Sequence, residues 1–146
     1  MPKKTNKSIW ILFVVVLVLC GCTNLAPNKF NVNQLTRVDV EVVQSDGTYD
    51  ESVMITDEEN MNRLKKAFKK IDWEPNQEPK LARTEDVKAT LFFLYDENMP
   101  ERLLEYQIWF HQEDDTATII SNYEEEGYGK IDKKNAQVIE KIFLQK

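Results

Sequence analysis

Apolar and polar residues divide the chain into one continuous apolar run near its start and shorter periodic patterns after it. The run holds twelve apolar residues, from Ile9 to Cys20, and residues 23–33 after it are polar without an apolar period. A membrane-spanning helix needs about 20 apolar residues, whereas runs of about 10–14 are more typical of signal-peptide cores. We therefore predict a signal peptide at the start of the chain, followed by a flexible tether.

Alternation of apolar and polar residues predicts five strands after the tether. In the first of them, Val38, Val40 and Val42 lie on one side and charged residues on the other, which is typical of a half-buried strand. Turn-forming residues such as Asp46-Gly47 separate neighbouring strands. The predicted strands cover residues 35–43, 52–55, 86–95, 102–111 and 116–121.

Two segments have the 3.6-residue period of an amphipathic helix. The first runs from about Asp57 to Lys70, and Thr56 with Glu59 forms the pattern of a capping box at its start. The second follows Asp132, whose side chain can cap it. We predict an α+β fold of two layers, in which an antiparallel sheet carries both helices on one face, in the order ββ-α-βββ-α.

Two connections are less regular than the rest. Residues 73–86 contain Pro75 and Pro79 and form a long loop for so small a domain, which is typical of a surface crossover or of a functional loop. Acidic residues and a Gly-Tyr-Gly sequence then predict a bend and a short extended piece that ends at Ile131.

The end of the apolar run has a cleavage pattern. Leu19-Cys20-Gly21-Cys22 resembles the lipobox of bacterial lipoproteins, in which a small residue precedes the modified cysteine, and three lysines supply the basic start of a signal peptide. The resemblance implies cleavage before Cys22 and acylation of that cysteine with chains such as palmitate. Two or three acyl chains, at about 0.8 kcal/mol per buried methylene, form a lasting anchor in the cell membrane.

This resemblance sets the expected organisation and location of the chain. Residues 1–21 are the expected lipoprotein signal peptide, 22–33 the lipidated tether and 34–146 a single α+β domain. The domain is expected to face the extracytoplasmic side of the cell membrane, where it is held by the lipid on Cys22.

Cysteine content and charge exclude several classes of function. Both cysteines lie at the predicted cleavage site, so the mature domain has no thiol for a nucleophile, a redox pair or a thiolate metal site. The full chain has a net charge of −6, and loss of the signal peptide removes three lysines. An acidic domain is repelled by nucleic acid, so we expect no nucleic-acid partner.

His111 is the single histidine of the chain and lies at a strand end beside acidic residues. Glu113 or Asp114 could orient it as a general base. No nucleophile motif of the G-x-S-x-G or S-x-x-K type accompanies it, which favours a solvated strand-end histidine and predicts no catalytic residue. The acidic runs lack the oxygen spacing of a calcium loop, so we expect neither a metal nor another cofactor.

Trp109 lies on the otherwise polar face of its predicted strand, a face that Phe92 of the neighbouring strand can share. Apolar residues on that face indicate core packing under a helix, which is the favoured interpretation, or an exposed aromatic patch of the kind that anchors partners. Tyr123 and Tyr128 are further candidates for such an interaction site.

A wider pattern supports the same location. A capped helix, Trp73 soon after it, Tyr106 and Trp109 in one strand and a late tyrosine before the final helix are similar to small uncharacterised lipoproteins of Gram-positive spore formers. The resemblance covers most of residues 35–146 and implies a fold and a location without an activity.

These patterns predict a non-enzymatic interaction module that binds a protein or another envelope component at the membrane. The alternative is a sensor of a small ligand or a cation that uses the acidic edge of the domain. A hydrolase is the third possibility.

Overall fold

The computed structural model describes residues 29–145. The predicted signal peptide, Cys22 and the tether up to residue 28 lie outside the described residues. Within the part that is described, no helix combines the length and the apolar character needed to cross a bilayer.

Residues 29–145 form one antiparallel sheet and two helices. The sheet contains seven strands in the spatial order β2-β1-β4-β5-β6-β7-β3. The strands are β1 (Leu35–Val42), β2 (Val53–Ile55), β3 (Asp72–Glu74), β4 (Val87–Phe93), β5 (Arg102–Phe110), β6 (Ala117–Ser121) and β7 (Tyr128–Ile131). The helices are α1 (Glu58–Phe68) and α2 (Lys133–Phe143), and a short 3-10 helix (Val32–Gln34) precedes β1.

The predicted α+β class, with an antiparallel sheet and two helices, is confirmed, but the predicted order has two strands too few. In the prediction from sequence, β3 falls largely within the 73–86 loop, and β7 is only a short extended piece. Both strands are too short for alternation to reveal them, and they pair with each other through Trp73 and Gly129 at the sheet edge. A Cβ on Gly129 would lie 2.6 Å from side-chain atoms of Ile71 and Trp73, so glycine permits this close pairing.

One face of the sheet and both helices share an apolar core. Strand β4 shows the alternation clearly, because every second residue from Val87 to Phe93 is buried. Phe68 of α1 contacts Tyr106 of β5 and Phe143 of α2, with ring centroids 5.6 and 6.4 Å apart. We call the side that carries Tyr106 the helix face of the sheet, and the opposite side, which carries Trp109, the open face.

Aspartates cap both helices. Asp57 caps α1, since its carboxylate accepts a hydrogen bond from the amide of Asn60 at 2.9 Å, so the predicted capping box of Thr56 and Glu59 is wrong. Asp57 also accepts from the side-chain amide of Asn60 at 3.1 Å, a second bond that fixes it in this role. The predicted cap at Asp132 is confirmed by a bond from the amide of Asn135 at 3.1 Å.

The first described residues pack against the rest of the domain through Phe30. The centroid of its ring lies 5.0 Å from the ring centroids of both Phe93 and Tyr123, and the next amide, that of Asn31, donates to the Tyr95 hydroxyl at 2.9 Å. Residues 29–33 belong to the predicted tether 22–33, yet Phe30 and Val32 pack against the core. The chain therefore meets the sheet at the end where β4 finishes and β5 begins.

Candidate functional site

A cleft of about 1070 Å³ lies at the opposite end of β5, where that strand finishes and β6 begins. The walls combine strand ends, the turn between β5 and β6, and part of the 75–86 loop. Residues that matter for its chemistry are Arg83, His111, Asp114, Thr118, Tyr128 and Lys130. The cleft thus contains the single histidine of the chain.

The register of β5 and β6 brings His111 next to Thr118. Thr118 pairs with Trp109, and His111 lies two residues beyond Trp109, so it is a diagonal neighbour of Thr118 on the same side. The His111 Nε2 and Thr118 Oγ1 atoms are 2.8 Å apart. A hydroxyl within hydrogen-bond distance of an imidazole nitrogen is the arrangement that activates a nucleophile.

Asp114 lies in the turn between β5 and β6 and lines the same cleft as His111. Its Oδ1 atom accepts from the hydroxyl of Thr116 at 2.7 Å and from the amide of Thr116 at 3.0 Å. These bonds, with a smaller contribution from the charge of nearby His111, hold the pKa of the Asp114 carboxyl below its ordinary value. The carboxylate is therefore available in its ionised form to stabilise a protonated His111.

The turn that carries Asp114 has a defined shape. The amide of His111 donates to the carbonyl of Thr116 at 2.9 Å, which closes the turn beside the cleft. Asp115 has a φ of 58°, a left-handed conformation that aspartate adopts more readily than most residues. The position of Asp114 beside His111 is thus fixed by the backbone.

The 75–86 loop is fastened to the end of β5 by Arg83 and Asp86. Two nitrogens of Arg83 donate to the two carboxylate oxygens of Asp86 at 2.6 and 2.9 Å. Arg83 also donates to the carbonyl of Phe110 at 2.9 Å, and Asp86 accepts from the amide of Phe110 at 2.7 Å. This clamp holds the loop against the residue that precedes His111 and makes it one wall of the cleft.

Trp109 lies on the open face, as the sequence predicts, but its side chain is covered. Trp109 is only 5% exposed, and its indole N–H donates to the carbonyl of Arg83 at 2.9 Å. The cover is the 75–86 loop and not a helix. An exposed aromatic patch centred on Trp109 is therefore not what the described structure contains.

The other aromatic candidates lie in different places. Phe92 lies on the open face under the guanidinium of Arg37, which is 3.5 Å from the ring centroid. Tyr123 packs against Phe30 at the far end of the sheet, and only Tyr128 lines the cleft. The structure therefore does not gather the four predicted interaction residues into one surface.

The sequence predicts His111 and Asp114 as possible partners, whereas it does not identify Thr118, Arg83 or Asp86 as site residues. One signal for Thr118 is present in the sequence, because a threonine interrupts the apolar residues of β6. It lies on the open face, as His111 does. No comparable local signal existed for Arg83, because its contacts with Phe110 cross 27 positions of sequence.

Carboxylates outnumber cations around the cleft. Its cations are Lys70, Arg83 and Lys130, and its carboxylates are Asp72, Asp86, Glu113, Asp114 and Asp132. Two of the three cations are also paired with carboxylates, Arg83 with Asp86 and Lys130 with Glu74. Nevertheless, among residues 29–145 no three His, Cys, Asp or Glu side chains are arranged to hold a metal ion.

The folded chain resembles a thioesterase-like protein. The solved structure of that protein, from Clostridium sporogenes ATCC 15579, matches with a TM-score of 0.54 over 80% of this chain and 100% of the other, at 21% sequence identity. A scan against models of protein families finds no match, and neither does a search of curated proteins. At this level of identity the likeness concerns the fold.

This likeness corrects the function predicted from the sequence. The prediction of a non-enzymatic interaction module is wrong, because the domain has the fold of a thioesterase-like protein. The alternative of a ligand or cation sensor gains no support from it either.

Proposed function

We propose that the cleft hydrolyses an ester or a thioester, in place of the predicted lack of enzymatic activity. The observation that carries the proposal is the 2.8 Å separation of His111 Nε2 and Thr118 Oγ1 inside the cleft. The description of the structural neighbour as thioesterase-like agrees with this class of reaction. Thr118 is the proposed nucleophile, His111 the general base and Asp114 the carboxylate that stabilises the imidazolium.

The reaction proceeds in two steps on these residues. His111 takes the hydroxyl proton of Thr118 through Nε2 as the oxygen attacks the acyl carbonyl, and then returns that proton to the departing alkoxide or thiolate. A water molecule, deprotonated by the same histidine, attacks the resulting acyl-threonine ester. The products of the second step are a carboxylic acid and the restored Thr118 hydroxyl.

Charge narrows the class of substrate. The excess of carboxylates around the cleft raises the local concentration of cations and lowers that of polyanions. Tyr128, which is partly exposed, adds aromatic surface to the lining. We therefore propose a neutral or cationic ester as the substrate, and not a thioester with several phosphates.

Substitution of the pair tests the proposed chemistry. His111→Gln and Thr118→Val should each lower kcat on an activated ester by about 100-fold or more, since a positioned proton-transfer group contributes about 10²–10⁴-fold. Thr118→Ser keeps the hydroxyl and should retain most of the activity. Rapid-mixing kinetics should show a burst that Thr118→Val abolishes.

Controls separate loss of chemistry from loss of fold. Gln112→Ala alters an exposed residue of the same cleft and should leave kcat unchanged. Circular dichroism should be the same for all four variants and the parent. Esterase activity that survives in both His111→Gln and Thr118→Val, or none in the parent with a panel of esters, would contradict the proposal.

We also propose that the protein is anchored to a membrane by acyl chains on Cys22. The basic start, the apolar run and the lipobox support this. Protein purified from membranes should have an intact mass that corresponds to cleavage before Cys22 plus acyl chains, and Cys22→Ser should abolish both changes. An uncleaved N-terminus in the parent would contradict the anchor.

A further inference from the structure

Three large apolar side chains are exposed at the end of the sheet opposite the cleft. Tyr95, Met99 and Leu103 are 39%, 63% and 56% exposed. All three belong to the hairpin of residues 95–103, which joins β4 to β5 and includes the first two residues of β5. This end of the domain therefore presents apolar surface to its surroundings.

The described chain begins beside this hairpin. The Asn31 amide donates to the Tyr95 hydroxyl at 2.9 Å, and the guanidinium of Arg102 lies 4.6 Å from the ring centroid of Phe30. Seven residue steps separate Cys22 from Lys29. Because an extended chain covers at most about 3.6 Å per residue, Lys29 lies within about 25 Å of Cys22.

We infer that the 95–103 hairpin rests on the surface of a lipid bilayer, with Met99 and Leu103 in the headgroup region. The inference rests on the proposed acylation of Cys22 and not on the proposed hydrolysis. A short tether keeps the hairpin at a high effective concentration near the bilayer. A small apolar patch that binds weakly on its own is then sufficient to set the orientation of the domain.

Charge defines the kind of surface. Asp96, Glu97 and Glu101 belong to the same hairpin, whereas Arg102 is its one cation. Anionic headgroups repel this excess of carboxylates, so the contact favours zwitterionic lipid. The immersion is shallow, because the three carboxylates keep the tip of the hairpin hydrated.

Spin labels at two matched positions test the inference. Met99 is 63% exposed on the hairpin, and Met54 is 60% exposed on edge strand β2. Residues 29–145 contain no cysteine, so Met99→Cys and Met54→Cys each provide a single labelling position in the acylated full-length protein. The intact mass of each labelled protein verifies that Cys22 carries its acyl chains.

In phosphatidylcholine vesicles, the label at position 99 should be several-fold less accessible to a water-soluble nickel chelate than the label at position 54. Met99 and Leu103 are exposed, so a Leu103→Ser change in the Met99→Cys protein should preserve the fold and restore much of the accessibility. Vesicles with anionic lipid should weaken the protection. Equal accessibility of the two labels overturns the inference, as do stronger protection by anionic lipid and an intact mass without acyl chains.

Discussion

At the scale of single residues, Glu126 is a carboxylate that the fold places almost out of water. It is 8% exposed and accepts a hydrogen bond from the buried hydroxyl of Tyr106 at 3.1 Å. Burial raises the pKa of the Glu126 carboxyl above its ordinary value, although bonds from Ser121 and Tyr106 partly oppose the shift. A raised pKa means that folding favours the protonated form, so Glu126 stabilises the fold below its ordinary pKa and this contribution is lost as the pH rises through the folded-state pKa.

Replacement of Glu126 by glutamine should remove this pH dependence. Glutamine keeps an oxygen that accepts from Tyr106 but carries no charge to bury. Glu126→Gln should therefore have a higher free energy of unfolding than the parent at about pH 7, and the difference should shrink towards about pH 4 as Glu126 becomes protonated. Urea denaturation over this range measures it, with exposed Glu124→Gln as the matched control. An advantage that grows as the pH falls would contradict the expected sign.

At the scale of elements, both helices start with the same device. Asp57 and Asp132 each accept from the amide and from the side chain of the asparagine three residues later, Asn60 and Asn135. The predicted cap of α1 is Thr56, but the next residue, Asp57, is also of a type that caps helices and takes that position. The extended backbone of Asp57, with φ −64° and ψ 139°, decides between them, and it depends on how the chain leaves β2.

A pair of alanine substitutions distinguishes the two caps of α1. Asp57→Ala removes both bonds to Asn60 and should lower the melting temperature by a few degrees, because a helix cap is usually worth about 1 kcal/mol. Thr56→Ala should change it much less. Thermal unfolding followed by circular dichroism provides the measurement, and a larger loss with Thr56→Ala would restore the predicted capping box.

Long periodic elements could be predicted from the sequence, whereas contacts between distant segments could not. Strand β5 is observed at Arg102–Phe110 against the predicted 102–111, because nine residues of regular alternation make a strong pattern. Trp109 was correctly placed on the polar side of that strand. Its cover is a loop held by the Arg83 and Asp86 clamp, and no local pattern encodes where a polar loop will bind.

The candidate site could likewise be predicted only in part from the sequence. The position of His111 at a strand end beside acidic residues follows from alternation alone. Its neighbour Thr118 depends on the register of β5 against β6, which a turn with a left-handed Asp115 sets. A shift of one residue would have moved Thr118 to the helix face and left His111 without it.

At the scale of the whole molecule, the electrostatic interaction of its net charge acts over the longest distance. The net charge of −6 and the excess of carboxylates around the cleft have the same sign. The domain therefore attracts cations. The range of this attraction depends on salt, since the Debye length is about 10 Å at 0.1 M and about 3 Å at 1 M ionic strength.

The effect of this charge can be tested with esters that share an acyl group and differ in the charge of the leaving alcohol or thiol. Their kcat/KM values should fall in the order cationic, neutral, polyanionic, and added salt should narrow the spread. Glu113→Gln should weaken the preference and Lys70→Gln should strengthen it. A polyanionic thioester that is hydrolysed fastest would contradict the proposed substrate class while leaving the hydrolysis itself intact.

Strand β5 also acts as a spacer. Its nine residues run from Arg102, in the exposed hairpin, to Phe110, next to His111. At about 3.4 Å per residue, the strand separates the two ends by about 27 Å. On a domain that stands on its hairpin with β5 upright, the cleft that contains Thr118 lies above the lipid by nearly the thickness of the hydrocarbon core of a bilayer. Phospholipid esters of the same membrane then stay beyond its reach, and the esters it meets are those dissolved in, or attached within, the space above.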